Sequence, residues 1–307
     1  MSIVVVGSVA YDTIETVNGG AIDALGGSAS YFALAARFFA PVSVVAVVGA
    51  DFKPEHRELF VERNIDVRGL EQRDGKTMHW HGRYHEDMNK RDTIELALNV
   101  FSDFKPTLLP DQRRSDYLFL GNISPGLQQH VLSQMSSPKV AAADTMNHWI
   151  ESDRAALTKM IAELDILTLN DEEARILSGE HNLVKAGRAV LKMGPKIALV
   201  KRGEYGVLQF SRDGMFAVPA YPLEEVVDPT GAGDTFAGGV MGYLARHGRL
   251  NEGILRSAVV YGTVMASFVV EKFSLERLTT LTWEEVDRRY RAFIELTDCQ
   301  HPRWTSQ

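Results

Sequence analysis

The chain has one cysteine, Cys299, in 307 residues, so it can build neither an internal disulfide framework nor a cysteine-rich zinc site. That fits a reducing cytoplasm. Positive charge is in deficit: 33 Lys and Arg stand against 40 Asp and Glu, for a net charge of -7. With a pI near 5.7, this argues against a nucleic-acid surface, which normally needs a basic stripe. The expected partner is a small molecule. The N-terminus enters Ile3-Val-Val-Val-Gly7 without a basic lead or a long apolar core, so neither a signal peptide nor a membrane span is expected. No Pro/Gly/Ser-rich linker, internal repeat or low-complexity segment divides the chain. Two phosphate-binding signatures are missing as well: there is no Gly-x-x-x-x-Gly-Lys-Ser/Thr loop, and Phe236 stands where a dinucleotide fingerprint wants glycine.

What is present is a 45% hydrophobic chain, enough for a large core. Short β-branched runs at residues 3–6, 42–48, 117–120, 140–143, 166–169 and 197–200 alternate with helical spacing at 29–39, 55–63, 127–135, 154–164 and 183–193. The alternation predicts a doubly wound α/β fold with a mostly parallel sheet and helices on both faces. Ligands in that architecture bind beyond the C-terminal strand ends. Polar residues following the strands are therefore candidates: Asp12, Asp51, Asn122, Asp144, Asn170 and Lys201. Residues 235–293 read as three helices, with Gly238, Gly239 and Gly242 on or near one face of the first, fit for close packing on the sheet or for leaving room for a nucleotide.

Residues 74–101 break the pattern. Met78, Trp80, Gly82 and Tyr84 alternate with His79, His81, Arg83 and His85, and a second alternating run covers 93–99. This is expected to be an antiparallel element, read either as a lid or as a plain surface hairpin with one wet face. His79 and His81 have no cysteine or firm third ligand beside them, which weakens a zinc reading. If the histidine face turns inward, it suits an anionic or strongly polar substrate.

The densest signal is Asp228-Pro-Thr-Gly-Ala-Gly-Asp234-Thr-Phe, between an apolar segment and a long helical stretch. One reading is a Pro-Thr-Gly turn followed by an ordinary helix cap. The other is an anion hole: Gly231 and Gly233 let successive amides converge on a phosphate at a helix N-terminus, and Asp234 stands ready to accept a hydroxyl proton.

Asp228-Pro-Thr-Gly-Ala-Gly-Asp-Thr-Phe-Ala-Gly-Gly closely resembles the C-terminal signature of the ribokinase-like (PfkB) family of ATP-dependent sugar and nucleoside kinases. The resemblance continues in the family's order through Gly7-Ser-Val-Ala-Tyr-Asp12, Gly26-Gly27-Ser-Ala, Asn170-Asp-Glu-Glu173 and Lys201-Arg-Gly203-Glu-Tyr-Gly206, covering nearly the whole chain. It implies a ribokinase-like three-layer α/β/α sandwich, one domain over 1–307, with a β lid at 74–101 to which 12–20 contribute.

By the same resemblance, Asp234 is the base and the Gly231, Ala232 and Gly233 amides form the anion hole for the γ-phosphoryl. Asp12, Gly26, Gly27, Ser28 and Tyr31 fall to the substrate, and Lys201, Gly203, Gly206 and Thr230 to ATP. Asn170 and Glu173 help hold Mg²⁺, usually through water. A monovalent cation such as K⁺ and a homodimer paired through the lid are further family traits.

The chain departs from the family at two places. Tyr31 stands where many members have a sugar-contacting Asn, and the C-terminal helix lacks a clear Asn-Ala pair by the adenine. The expected activity is transfer of the γ-phosphoryl of MgATP to a hydroxyl of a sugar or sugar derivative. A nucleoside kinase is the alternative, since Tyr31, Trp80 and Tyr84 offer rings to a base. A non-catalytic sensor would have no need of Asp234.

Overall fold

The computed structural model describes residues 1–298, and Cys299 lies outside the described residues. Strand β1 (Ile3–Val6) is buried on both faces, which is why it reads as an unbroken aliphatic run. It lies inside a nine-stranded sheet. On one side follow β4 (Val42–Val48) and β5 (Ile65–Gln72). On the other come β8 (Tyr117–Leu120), β9 (Val140–Asp144), β10 (Ile166–Asn170) and β11 (Ile197–Lys201), all parallel. The antiparallel strands β12 (Val207–Ser211) and β13 (Gly214–Val218) complete that edge.

Alternate side chains of each strand feed two cores. Ile3, Val5, Val44 and Phe119 pack with Phe32 of α1 (Ser28–Ala36), Val240 of α8 (Ala232–His247) and Met265 of α9 (Glu252–Val269). Phe60 of α2 (Pro54–Glu62), Leu278 of α10 (Glu276–Thr280) and Phe293 of α11 (Trp283–Thr297) join that face. Val4, Val6, Val45 and Leu118 pack the other way, on Val131 of α3 (Pro125–Leu132) and Ile150 of α4 (Asn147–Ser152). Leu157 of α5 (Arg154–Ile161), Leu177 of α6 (Asp171–Ser178) and Val190 of α7 (Leu183–Leu191) complete this layer. The result is the three-layer α/β/α sandwich.

Several elements differ from the sequence expectation. β5 and β13 are edge strands whose charged or exposed residues hide their strand character. The C-terminal region holds four helices rather than three, because α10 has five residues, too few to show a period. The α8 glycines serve helix packing rather than the sheet: side chains at Gly238 and Gly242 would meet α1, and one at Gly239 would lie 2.9 Å from the Gly262 Cα in α9. Among the described residues no helix is long and apolar enough to cross a membrane.

A second sheet of four strands stands apart from the first. Its order is β3 (Gly19–Gly26), β2 (Ala10–Thr16), β6 (His79–Tyr84) and β7 (Arg91–Ala97). Two antiparallel hairpins, β2–β3 and β6–β7, are joined by a parallel β2–β6 ladder. Residues 10–26 thus supply half of this lid sheet.

The histidine face of the lid is already paired. His79 Nε2 lies 3.1 Å from both Thr13 Oγ1 and Asp23 Oδ1. His81 and Arg83 share Glu15 at 2.8 and 2.7 Å, and His85 meets Asp92 at 3.0 Å. Asp12 and Trp80 are partners on the other face. The inward-facing histidine arrangement is therefore not what forms.

Candidate active site

The signature run is held by Asp228, which is fully buried. Its Oδ1 accepts the Thr230 amide and its Oδ2 the Ser274 amide, each at 2.8 Å, so the loop is tied both to itself and to the segment after α9. Ala232 N donates to Pro229 O at 3.2 Å, and Gly231, at φ 75 and ψ 3, takes the left-handed place in that turn. These are the angles of a type II turn, where glycine is the residue of least strain. A side chain on Gly231 would also run into the Tyr31 ring. The Ala232 amide is thereby turned back on the loop, which removes it from the expected set of anion-hole donors. The amides of Gly231 and Gly233 have no such partner among the described residues.

Asp234 lies in the first turn of α8, where the helix dipole favours negative charge. It keeps some solvent contact, yet protein crowds it. Burial first, and then the Asp144 charge, push its carboxyl up to about 7, while Lys201 and Arg91 pull the other way. Asp144, at the end of β9, forms an ion pair with Lys201 at the end of β11, 2.8 Å apart. Burial works against the Lys201 charge, but Asp144 and Glu173 more than offset it and hold the ammonium above its ordinary value. Three parallel strand ends thus converge on the mouth of α8.

β10 supplies the third. Asn170 caps α6 with a reciprocal box: Asn170 Oδ1 accepts the Glu173 amide at 2.7 Å and Glu173 Oε2 accepts the Asn170 amide at 2.6 Å. The Glu173 carboxyl is raised by burial first and by Asp144 next. A hard cation beside the two carboxylates would relieve that repulsion. Among the described residues no group of three or more His, Cys, Asp or Glu could hold a metal ion unaided. A magnesium ion held beside Asn170 and Glu173 would have to retain waters and take other oxygens from phosphates.

The lid supplies the opposite wall. Asp12 on β2 is 5% exposed, and its carboxyl is pushed up to about 7 by burial and by Asp228, with the Gly27 amide opposing. A side chain on Gly26 would collide with that carboxylate. Gly27, at φ 91, caps α1, and a Cβ there would lie 2.5 Å from Ser8 O. Ser28 is committed to structure: it exchanges hydrogen bonds with Ser8, amide to hydroxyl in both directions, at 3.1 and 3.0 Å.

Tyr31 is buried behind Gly231, and burial together with Asp12 and Asp228 raises its hydroxyl well above the usual phenol range. It supports the loop from beneath rather than facing open space. Thr230 Oγ1 donates to the Tyr84 hydroxyl of the lid at 3.1 Å, so that contact joins lid to body. Lys201, Gly203 and Gly206 flank the hairpin between β11 and β12, in which Arg202 N donates to Gly206 O at 2.8 Å.

Residues 1–280 match the family model described as pfkB family carbohydrate kinase. The chain belongs to this family. It is 30% identical over 259 residues to a cytidine kinase of Thermococcus kodakarensis, covering 82% of this chain and 91% of that protein. A fructokinase of Klebsiella pneumoniae is 35% identical over 96 residues, 31% of each chain. Among solved structures, a putative ribokinase II from E. coli in complex with ATP and Mg²⁺ superposes with a TM-score of 0.78 at 19% identity, covering 95% of this chain and 99% of that one.

As a pfkB family member the chain is an ATP-dependent kinase of small molecules. Two residues at this kinase's site, Asp144 and Arg91, escaped the sequence reading of roles, and Tyr84 was read only as a ring for stacking a base. Asp144 was visible only as a polar residue ending an apolar strand. Tyr84 and Arg91 belong to a hairpin whose placement over the signature loop depends on tertiary contacts.

Proposed function

We propose that this kinase phosphorylates the primary hydroxyl of a ribonucleoside, with cytidine as the first candidate. The observation that carries this reading is the pairing of Asp12 with Trp80 on the inner face of the lid. The Trp80 indole lies across Gly82, where any side chain would collide with it, and its Nε1 donates to Thr93 Oγ1 at 3.2 Å. A held indole beside a buried carboxylate offers one surface for stacking a base and one acceptor pair for a ribose diol. The nearly full-length similarity to a cytidine kinase supports the same choice. Similarity to the fructokinase over about a third of the chain favours a hexose as the second reading.

In this mechanism the acceptor hydroxyl attacks the γ-phosphorus as the bond to ADP breaks. Asp234 takes the hydroxyl proton late, because an alcohol is far too weak an acid for a carboxylate to deprotonate beforehand. Its raised affinity for a proton suits it to that task. The Gly231 and Gly233 amides stabilise the transferring oxygens, as donors fixed before charge develops. Magnesium, held through Asn170 and Glu173, would neutralise phosphate charge. Lys201 and the Gly203 and Gly206 turn border ATP, and Tyr31 and Ser28 hold the loop and α1 in place.

The test is to incubate the protein with MgATP and, separately, cytidine, uridine, adenosine, inosine, ribose, fructose and 2-keto-3-deoxygluconate, identifying products by ³¹P NMR. A nucleoside 5′-monophosphate is expected. Phosphorylation of fructose or ribose with no nucleoside product would replace this reading with the sugar-kinase one.

A further inference from the structure

Tyr84 and Arg91 face each other across the β6–β7 ladder, and directly opposed residues in an antiparallel pair project to the same side. Tyr84 is 6% exposed and accepts the Thr230 hydroxyl, so that side is the one turned on the signature loop. Arg91 therefore leaves the lid toward the same loop. Its guanidinium carbon lies 5.5 Å from the centre of the Trp80 ring.

Arg91 as a residue is exposed, and its guanidinium has the Tyr84 hydroxyl and the Trp80 ring as neighbours. It acts electrostatically on Glu173 and Asp234, and more weakly on Asp12. Among the described residues it forms no ion pair, whereas its strand neighbour Arg83 is taken by Glu15 at 2.7 Å. Lys201 on the body is likewise taken, by Asp144 at 2.8 Å. Of these three cations Arg91 is the one with no fixed anion among the described residues, and it leaves the lid on the side that Tyr84 turns to the signature loop.

We propose that Arg91 is a lid-borne ligand of the transferring phosphoryl group, positioned by the Tyr84–Thr230 hydrogen bond. As the bond from phosphorus to the ADP oxygen breaks and the bond to the acceptor oxygen forms, the acceptor proton passes to Asp234 and ADP leaves with the added negative charge. Arg91 stays protonated throughout and donates to the equatorial oxygens, whose charge it matches better than lysine can. The lid tip supports this placement: a side chain on Gly203 would run into the Asn89 carboxamide, so the turn before Arg91 rests on the loop after β11. The proposal depends on the kinase chemistry of the family and not on which acceptor is used.

Calorimetric titration with the non-hydrolysable analogue AMPPNP and with ADP, both with Mg²⁺, tests it without any acceptor. R91Q is expected to weaken AMPPNP binding about 10- to 100-fold, the range of one or two charge-assisted hydrogen bonds, while ADP changes less than about 2-fold. R91K should fall between. Equal losses for both nucleotides, or none, would overturn the assignment. If R91Q fails to fold, R91K decides: a loss confined to AMPPNP supports the proposal, and unchanged AMPPNP affinity overturns it. Y84F, which keeps the arginine but removes the latch, should show a smaller loss of the same selectivity.

Discussion

Lys201 Nζ fills the space that a side chain on Gly233 would need, since a Cβ there would lie 2.9 Å from it. The ammonium is fixed in that place by Asp144, so the glycine in the signature and the lysine on β11 are one packing unit. Substituting G233A adds a methyl at a helical position where alanine is the better helix former, and should leave the melting temperature nearly unchanged. Displacing Lys201 should nonetheless lower kcat, by about 100-fold if one preorganised electrostatic contact is lost. Steady-state kinetics alongside thermal melts would check both halves of that expectation.

K201M should be worse for folding. It leaves Asp144 without its partner and Glu173 and Asp234 without a neighbouring cation. Breaking a buried pair on one side costs about 3–5 kcal/mol, which urea denaturation would register. The acid limb of the rate profile should also move to higher pH, because Lys201 now holds the Asp234 carboxyl down.

Stability should fall as pH rises through the window between ordinary and raised carboxyl values. Asp12 and Asp234 are each raised from 3.8 to about 7. Between those values the folded chain keeps protons that the unfolded chain has shed, so raising pH removes stability. Melting temperatures of the ligand-free protein should therefore drop from pH 5 to pH 8, and D12N should flatten the slope. Activity should run the opposite way, since Asp234 must be ionised to accept a proton, giving kcat/KM a rise centred near its value of about 7.

E173Q separates the cap from the charge. Glutamine can still accept the Asn170 amide and close the box on α6, so the melting temperature should hold. The Mg²⁺ concentration for half-maximal activity should rise, by about 10-fold if one oxygen-to-water contact weakens. Activity titrated against free Mg²⁺ would show it.

W80A should raise KM for cytidine about 10-fold or more, within the about 1–3 kcal/mol that stacking on an aromatic supplies. It should leave kcat within a few-fold and KM for ATP unchanged. Competition by free ribose should be insensitive to the substitution.

The parallel body was legible because both faces of its strands are covered, which leaves runs such as Ile3–Val6 and Val42–Val48 wholly apolar. β5, with Asp66, Arg68 and Glu71 in eight residues, was not, since at an edge only part of the strand is enclosed. The conformation of the signature run was legible from local chemistry: a turn that needs a positive φ at Gly231 and a helix that begins immediately after it. Ser28 and Tyr31 were placed with the substrate, but their partners, Ser8 and Gly231, are respectively 20 and 200 positions distant and set by packing. Arg91 could be reached only through its register with Tyr84, which depends on where the hairpin turns.

The central claim is that Asp234 is the base for phosphoryl transfer to a nucleoside. Its most direct test is single-turnover transfer of labelled γ-phosphoryl from MgATP to cytidine by wild type and D234N, with fructose in a parallel reaction. The account predicts labelled cytidine monophosphate from wild type and a loss of about 10²–10⁴ in D234N, with ATP binding retained. Undiminished transfer by D234N, or labelling of fructose with none of cytidine, would contradict it.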